Sequence, residues 1–236
     1  MRAVILAGGR GTRLAPYSTL LPKPLMPIGD MPILELLIRQ LRRSEITRVT
    51  LAVGHLASLV MAYCGTGERF RIPIDYSQEP EPLGTAGPLR LVTGLTDTFV
   101  VLNGDLLTDV DVRTMIAFHR RQGAAATVGV YERETLIDLG VVEMAGDSRI
   151  GAYLEKPAHR HLVSMGVYVF EPSVLRHVPS RGRFDLPDLV TALLAAGESV
   201  VAYRHEGYWC DIGRPEDYQR VQEEFPAMKA RLLDGA

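Results

Sequence analysis

The chain has 236 residues, 47% of them hydrophobic, enough to bury a sizeable core in a single domain spanning 1–236. Its 26 basic and 28 acidic residues give a formal net charge of −2, so composition points to neither a nucleic-acid nor a membrane partner. Cys64 and Cys210 lie far apart and outside any metal-ligand spacing, as expected of reduced thiols in a cytoplasmic protein. The opening Met1-Arg2-Ala3-Val4-Ile5-Leu6 is too short for a signal-peptide core, and no apolar run approaches the roughly 20 residues of a membrane span.

Residues 3–7 form a continuous apolar run ending at Gly8-Gly9, the pattern of a strand buried on both faces. Ile33, Leu34, Leu37, Ile38 and Leu41 then recur at helical spacing, with Arg39, Gln40, Arg42 and Arg43 on the other side. Strands are expected at 49–53, 72–76 and 99–102, with helices at 56–63 and 86–95 between them. This alternation argues for an α/β fold: a doubly wound, mostly parallel, Rossmann-like mixed sheet with right-handed crossovers. After Gly123 the pattern turns to strands at 126–131, 140–144, 150–154 and 165–170, and helices return at 186–195 and 215–225. No repeat, low-complexity tract or linker divides the chain.

Gly8-Gly9-Arg10-Gly11-Thr12-Arg13-Leu14 follows the first strand directly. Glycines there allow a tight turn that turns backbone N–H groups toward an anion, and Arg13 adds a guanidinium fork. The loop lacks the ending of a Walker motif and the last glycine of a dinucleotide fingerprint, so by itself it fits a plain turn as well as a phosphate site. Pro22 and Pro24 hold Lys23 out of a helix, which suits a rigidly presented cation or simply an exposed turn.

Taken together, Leu6-Ala7-Gly8-Gly9-Arg10-Gly11-Thr12-Arg13-Leu14 and Pro22-Lys23-Pro24-Leu25 resemble the signature of sugar-1-phosphate nucleotidyltransferases. The resemblance continues in the family's order through Glu81-Pro82-Leu83-Gly84-Thr85-Ala86-Gly87-Pro88-Leu89, Asn103-Gly104-Asp105, Glu155-Lys156-Pro157 and Trp209-Cys210-Asp211-Ile212-Gly213. It implies transfer of a nucleotidyl group from a nucleoside triphosphate to a sugar or sugar-like 1-phosphate, with pyrophosphate released. Arg13, Lys23, Asp105, Lys156 and Asp211 are the catalytic set it implies, with Asp105 and Asp211 sharing Mg²⁺. The nucleotide side would comprise Leu6, Ala7, Gly8, Gly9, Gly11, Thr12, Arg13, Lys23, Gln78, Gly84, Thr85, Gly104 and Asp105, with Gln78 and Gly84 at the base. The sugar-phosphate side would comprise Gly140, Glu155, Lys156, Ser164, Gly166 and Trp209. Such chemistry brings two polyanions together, so charge neutralisation and in-line positioning must supply most of the rate.

The segment 81–89 is closest to mannose-1-phosphate guanylyltransferases, which favours GTP over uridylyl, thymidylyl or adenylyl donors. Where many members carry Asn-Ala-Gly this chain has Ser164-Met165-Gly166, and Leu139 replaces an aromatic before Gly140, so an unusual sugar or cyclitol acceptor is expected. A C-terminal left-handed β-helix has no counterpart here, which favours a monomer or a homodimer through the core. A non-catalytic nucleotide-sugar-binding regulator is the alternative, but such proteins usually lose the cations and carboxylates that are all present here. A glycosyltransferase would use an Asp-x-Asp metal motif, and Asp109-Val110-Asp111 has that form. Those carboxylates also suit the start of a helix near Val112. His55, His119, His159, His161, His177 and His205 show no triad or ligand pattern and are expected to be structural or exposed.

Overall fold

The computed structural model describes residues 1–234. Strand β1 (Arg2–Ala7) leads through a 3-10 turn at Thr12–Leu14, the one-turn helix α1 (Tyr17–Leu20) and a second 3-10 turn at Lys23–Leu25. A two-residue hairpin, β2 (Pro27–Ile28) and β3 (Met31–Pro32), then delivers the chain into α2 (Ile33–Arg42). The amphipathic spacing read in the sequence places Leu34, Leu37, Ile38 and Leu41 of α2 in the core, with Arg39 and Arg42 outside. β4 (Arg48–Val53), α3 (Ala57–Cys64), β5 (Ile74–Gln78), β6 (Phe99–Asn103), β7 (Leu106–Thr108) and α4 (Val112–Gln122) follow. The second half holds β8 (Ala126–Leu136), β9 (Gly140–Met144), β10 (Ile150–Glu155), β11 (Ala158–Phe170), α5 (Leu186–Ala195), β12 (Val200–His205), β13 (Trp209–Asp211) and α6 (Pro215–Asp234).

Seven strands form one sheet in the order β12-β8-β11-β6-β1-β4-β5. β1 pairs in parallel with both β4 and β6, β4 with β5, and β8 with β12; β11 alone runs antiparallel to both its neighbours. The expected α/β architecture is therefore present, mixed because β11 runs antiparallel. Alternation sorts β1 between two layers: Ala3, Ile5 and Ala7 face α2, α4 and α6, whereas Val4 faces the layer of Leu89 and the α5 residues Leu186, Leu189 and Leu193.

Several boundaries differ from the sequence reading. The helix expected at 86–95 is only a 3-10 turn, Gly87–Leu91, because Gly87 and a left-handed Gly94 leave too few residues for two α-turns. The strand expected at 72–76 begins two residues later, since a left-handed Arg71 and Pro73 keep Ile72 in the preceding turn. The helix expected to end at 225 continues through Pro226 to Asp234. β7 and β12 were not anticipated, β7 being only three residues long and β12 only partly buried. Beyond Tyr131 and Ser164, β8 and β11 pair only with each other, making an arm that leads to the separate β9–β10 ribbon. This arm exposes Leu136, Leu139, Met144, Ile150, Tyr153 and Leu162.

Candidate active site

The carboxyl ends of β1 and β6 lie side by side, where a parallel sheet presents a ligand crevice. Gly104 N–H donates to the Leu6 carbonyl at 2.9 Å, and a Cβ on Gly104 would stand 2.7 Å from that same oxygen. Only glycine fits there, and its absence of side chain brings Asp105 against the start of the glycine loop. β13 pairs antiparallel with β7, setting Asp211 opposite Leu106, and Ile212 N–H donates to the Asp105 carbonyl at 3.2 Å. Two carboxylates distant in sequence thus become neighbours.

Lys23 rises between them from its proline-flanked turn. It is only 8% exposed; its ammonium is ion-paired with Asp105 Oδ2 and lies 3.8 Å from Asp211 Oδ1. Burial, and then the charge of Asp105, raise the Asp211 carboxyl above the ordinary carboxylate range, while Lys23 and Arg13 offset part of that shift. Gly11, at φ 61, turns the loop back, and its carbonyl accepts from Ser18 Oγ at 2.7 Å. A cavity of about 240 Å³ results, walled by Leu6, Ala7, Gly9, Gly11, Thr12 and Arg13 on one side. Lys23, Pro24, Gly104, Asp105 and Gly213 close the other. Two cations, a glycine loop and the Asp105 carboxylate around one small cavity, with Asp211 next to Lys23, are suited to a polyphosphate.

The family model for nucleotidyl transferases matches residues 2–227. This chain belongs to the nucleotidyl transferase family. It is 36% identical over 238 residues to the UTP–glucose-1-phosphate uridylyltransferase of Synechocystis sp., covering 92% of this chain and 61% of that protein. It is also 36% identical over 242 residues to the mannose-1-phosphate guanylyltransferase catalytic subunit beta of Danio rerio, covering 96% of this chain and 67% of that one. Among solved structures, a Bacillus anthracis protein described as a glucose-1-phosphate thymidylyltransferase superposes with a TM-score of 0.76 at 26% identity, covering 94% of each chain. The chain thus spans less than two thirds of the Synechocystis relative's length.

Other motif residues lie around the cavity or away from it. Gly8 does not line it; a Cβ there would stand 2.2 Å from Glu79 Oε1, so its missing side chain makes room for that carboxylate. Gln78 is exposed at the end of β5. Gly84, at φ 84, is pressed against the Phe184 carbonyl at a would-be Cβ distance of 2.6 Å, and the Thr85 hydroxyl accepts from Leu186 N–H at 2.7 Å. Protein packing therefore accounts for Gly84 and Thr85: together with the Asp185 cap they fasten the segment to α5. Gly166, at φ 72, packs against the Asn103 amide inside a bulge of β11, and Trp209 Nε1 donates to the Met165 carbonyl at 2.9 Å. Ser164 Oγ lies 2.9 Å from the buried Tyr168 hydroxyl. Gly140 and Glu155 face each other across the β9–β10 ribbon, with Lys156 just beyond it; Glu155 and Lys156 are exposed, and none of the three lines the cavity.

The Asp-x-Asp string divides. Asp111 caps α4 by accepting from Arg113 N–H at 2.9 Å, as expected from its place before the helix. The Asp109 side chain is instead buried, accepting from Tyr208 N–H at 2.7 Å, lying 2.8 Å from His205 Nε2 and ion-paired with Arg231 of α6. Neither lines the cavity. Glu79 and Asp109 were invisible as site-supporting residues in the sequence, because their partners come from distant segments.

One further polar group stands out. Asp105 Oδ1 is buried without a hydrogen-bond partner, next to a second carboxylate. Among the described residues no three His, Cys, Asp or Glu side chains are grouped to hold a metal. Two hard oxygen donors are what Mg²⁺ takes from a protein when substrate phosphates and water supply the rest, so the residues present fit that ion.

Proposed function

We propose that this nucleotidyl transferase joins a nucleoside triphosphate to a sugar 1-phosphate. An oxygen of the acceptor phosphate attacks the α-phosphorus, the α–β phosphoanhydride bond breaks, and pyrophosphate leaves as the NDP-sugar forms. The observation that carries this reading is Lys23, nearly buried between Asp105 and Asp211 beneath the glycine loop. Arg13 and the amides of Gly9 and Gly11 would hold the triphosphate, and Lys23 would neutralise charge developing on the leaving pyrophosphate. Gln78, Gly84 and Thr85 would border the base, and Lys156, Glu155, Gly140, Ser164, Gly166 and Trp209 the acceptor. Asp105 and Asp211 would hold Mg²⁺, which when bound supplies Lewis-acid neutralisation of phosphate oxygens.

Among donors we favour GTP, supported by the likeness of 81–89 to guanylyltransferases and by the Danio rerio relative's name. The uridylyltransferase name of the Synechocystis relative makes UTP the competing donor. We place the enzyme in the cytoplasm on its two free cysteines, acting as a monomer or homodimer.

The test is pyrophosphate release from ATP, GTP, UTP, CTP and dTTP, each paired with glucose, mannose and heptose 1-phosphates. Release should require both substrates and Mg²⁺, and should be fastest with GTP. Asp105→Asn or Asp211→Asn should each lower it by at least about a hundredfold. Full turnover in both variants would remove the two carboxylates from the mechanism, and no release from any pair would remove the activity.

A further inference from the structure

We propose that Asp138 is the carboxylate that a substrate phosphate displaces from Lys156, and that it thereby sets the affinity for the sugar 1-phosphate. The inference rests on the assignment of Lys156 to the acceptor phosphate.

Asp138 lies in the turn between β8 and β9, and Lys156 in the turn between β10 and β11. Ile137 N–H donates to the Pro157 carbonyl at 3.0 Å, so the two turns are fastened together. Lys156 holds φ 47, a left-handed backbone that a side-chain-bearing residue adopts only when its surroundings impose it. That backbone delivers its ammonium to Asp138 Oδ1 at 2.6 Å.

The chain's lysines are Lys23, Lys156 and Lys229, and each is ion-paired. Lys23 is buried in the cavity wall, and Lys229 ties α6 to Asp30, away from the motifs. Lys156 combines a motif position with an open pair, its side chain 54% and that of Asp138 75% exposed. An ion pair so exposed is weak, and a phosphate dianion offers the ammonium more charge and more oxygens than one carboxylate. Binding therefore breaks the pair and leaves Asp138 facing a like charge. Both effects oppose the acceptor, and both help the anionic product to leave.

The charge can be removed without changing shape by Asp138→Asn. With only three lysines, the lysine Cε–H resonances of ¹³C-labelled protein resolve the question, that of Lys156 being identified by its loss in Lys156→Arg. Glucose 1-phosphate, mannose 1-phosphate and inorganic phosphate serve as probes. The Lys156 resonance should reach its midpoint at about two- to five-fold lower probe concentration in Asp138→Asn, the range an exposed pair is worth. The difference should shrink in about 1 M salt, where screening acts within roughly 3 Å. Asp138→Ala should behave alike, which separates loss of charge from a new amide hydrogen bond.

An equal or higher midpoint in both variants, with the Lys156 resonance still responding, overturns the inference and leaves the assignment of Lys156 standing. A Lys156 resonance unmoved by all three probes in wild type and variants overturns that assignment and the inference with it.

Discussion

Asp211 is half-buried beside Asp105, and the two effects together raise its carboxyl above the ordinary carboxylate range despite Lys23 and Arg13. A raised folded-state value means that ionising the group costs stability. That cost is absent below the unfolded value near 3.8 and is present once pH has risen through the folded value. Asp211→Asn should therefore melt above wild type at pH 7, with the gain vanishing as pH falls toward 3.8. The same variant should lose pyrophosphate release, giving the opposite signs in stability and activity that a functional charge cluster produces. Equal melting temperatures across that pH range would show that the fold does not oppose this charge. Gly104 makes the complementary case in sterics. A Cβ 2.7 Å from the Leu6 carbonyl must move backbone, so Gly104→Ala should cost about 1–3 kcal/mol and disturb Asp105 with it. Chemical denaturation measures the first effect and turnover the second.

At the level of elements, Asp211 is placed by β13, and β13 is held by Asp109. The end of β12 places His205, and the turn before β13 places Tyr208 N–H, on the Asp109 carboxylate, and Gly207 leaves room for it, since a Cβ there would stand 2.4 Å from Asp109 Oδ1. Asp109→Ala strands the Tyr208 N–H and should cost about 1–3 kcal/mol, whereas Asp109→Asn keeps an acceptor and should recover most of it. Trp209, the only tryptophan, lies on β13 itself, so its emission should shift red in Asp109→Ala before global unfolding. A wild-type spectrum and unaltered turnover would confine Asp109 to a local turn.

These elements also show what a sequence discloses. Strands β1, β4 and β6 were legible because apolar runs bounded by glycine reflect burial on both faces, and α2 because its stripe repeats at helical spacing. Short β7 and β13 carry no period of their own and exist by pairing with each other. The cavity residues Arg13, Lys23 and Asp105 and the neighbouring Asp211 were legible as motifs, but their meeting depends on β13 crossing to β7. Gly8 was read as part of a tight phosphate turn and Gly84 as room for the base; the space a Cβ would take at each is occupied by the protein, by Glu79 and by the Phe184 backbone, which no local pattern announces.

Across the whole molecule, the last helix reaches back to the segment that carries Lys23. Tyr218 OH and Gln222 Nε2 both donate to the Pro27 carbonyl at 2.7 Å, Gly29 N–H donates to Gln222 Oε1 at 2.9 Å, and Lys229 pairs with Asp30. The Phe225 ring, 2% exposed, covers Gly29, whose φ of 59 and missing Cβ let the ring sit within contact. α6 thus clamps the β2–β3 hairpin that directly follows the Lys23 turn, and through Arg231 it also grips Asp109 behind β13. One helix buttresses both the cation of the cavity and the second carboxylate beside it. Phe225→Ala should cost about 3–5 kcal/mol by the cavity it leaves, and the loss should reach the site. Assayed well below its melting temperature, the variant should show a lower kcat, with the KM for the triphosphate much less affected, because Lys23 and Asp211 would be less well held while the glycine loop, which α6 does not touch through these bonds, keeps its shape. Phe225→Leu, which restores most of the volume, should recover both properties together. If stability falls but kcat at low temperature stays at the wild-type value, α6 supports the fold alone, and the alignment of Lys23 with the carboxylates must come from the strand ends themselves.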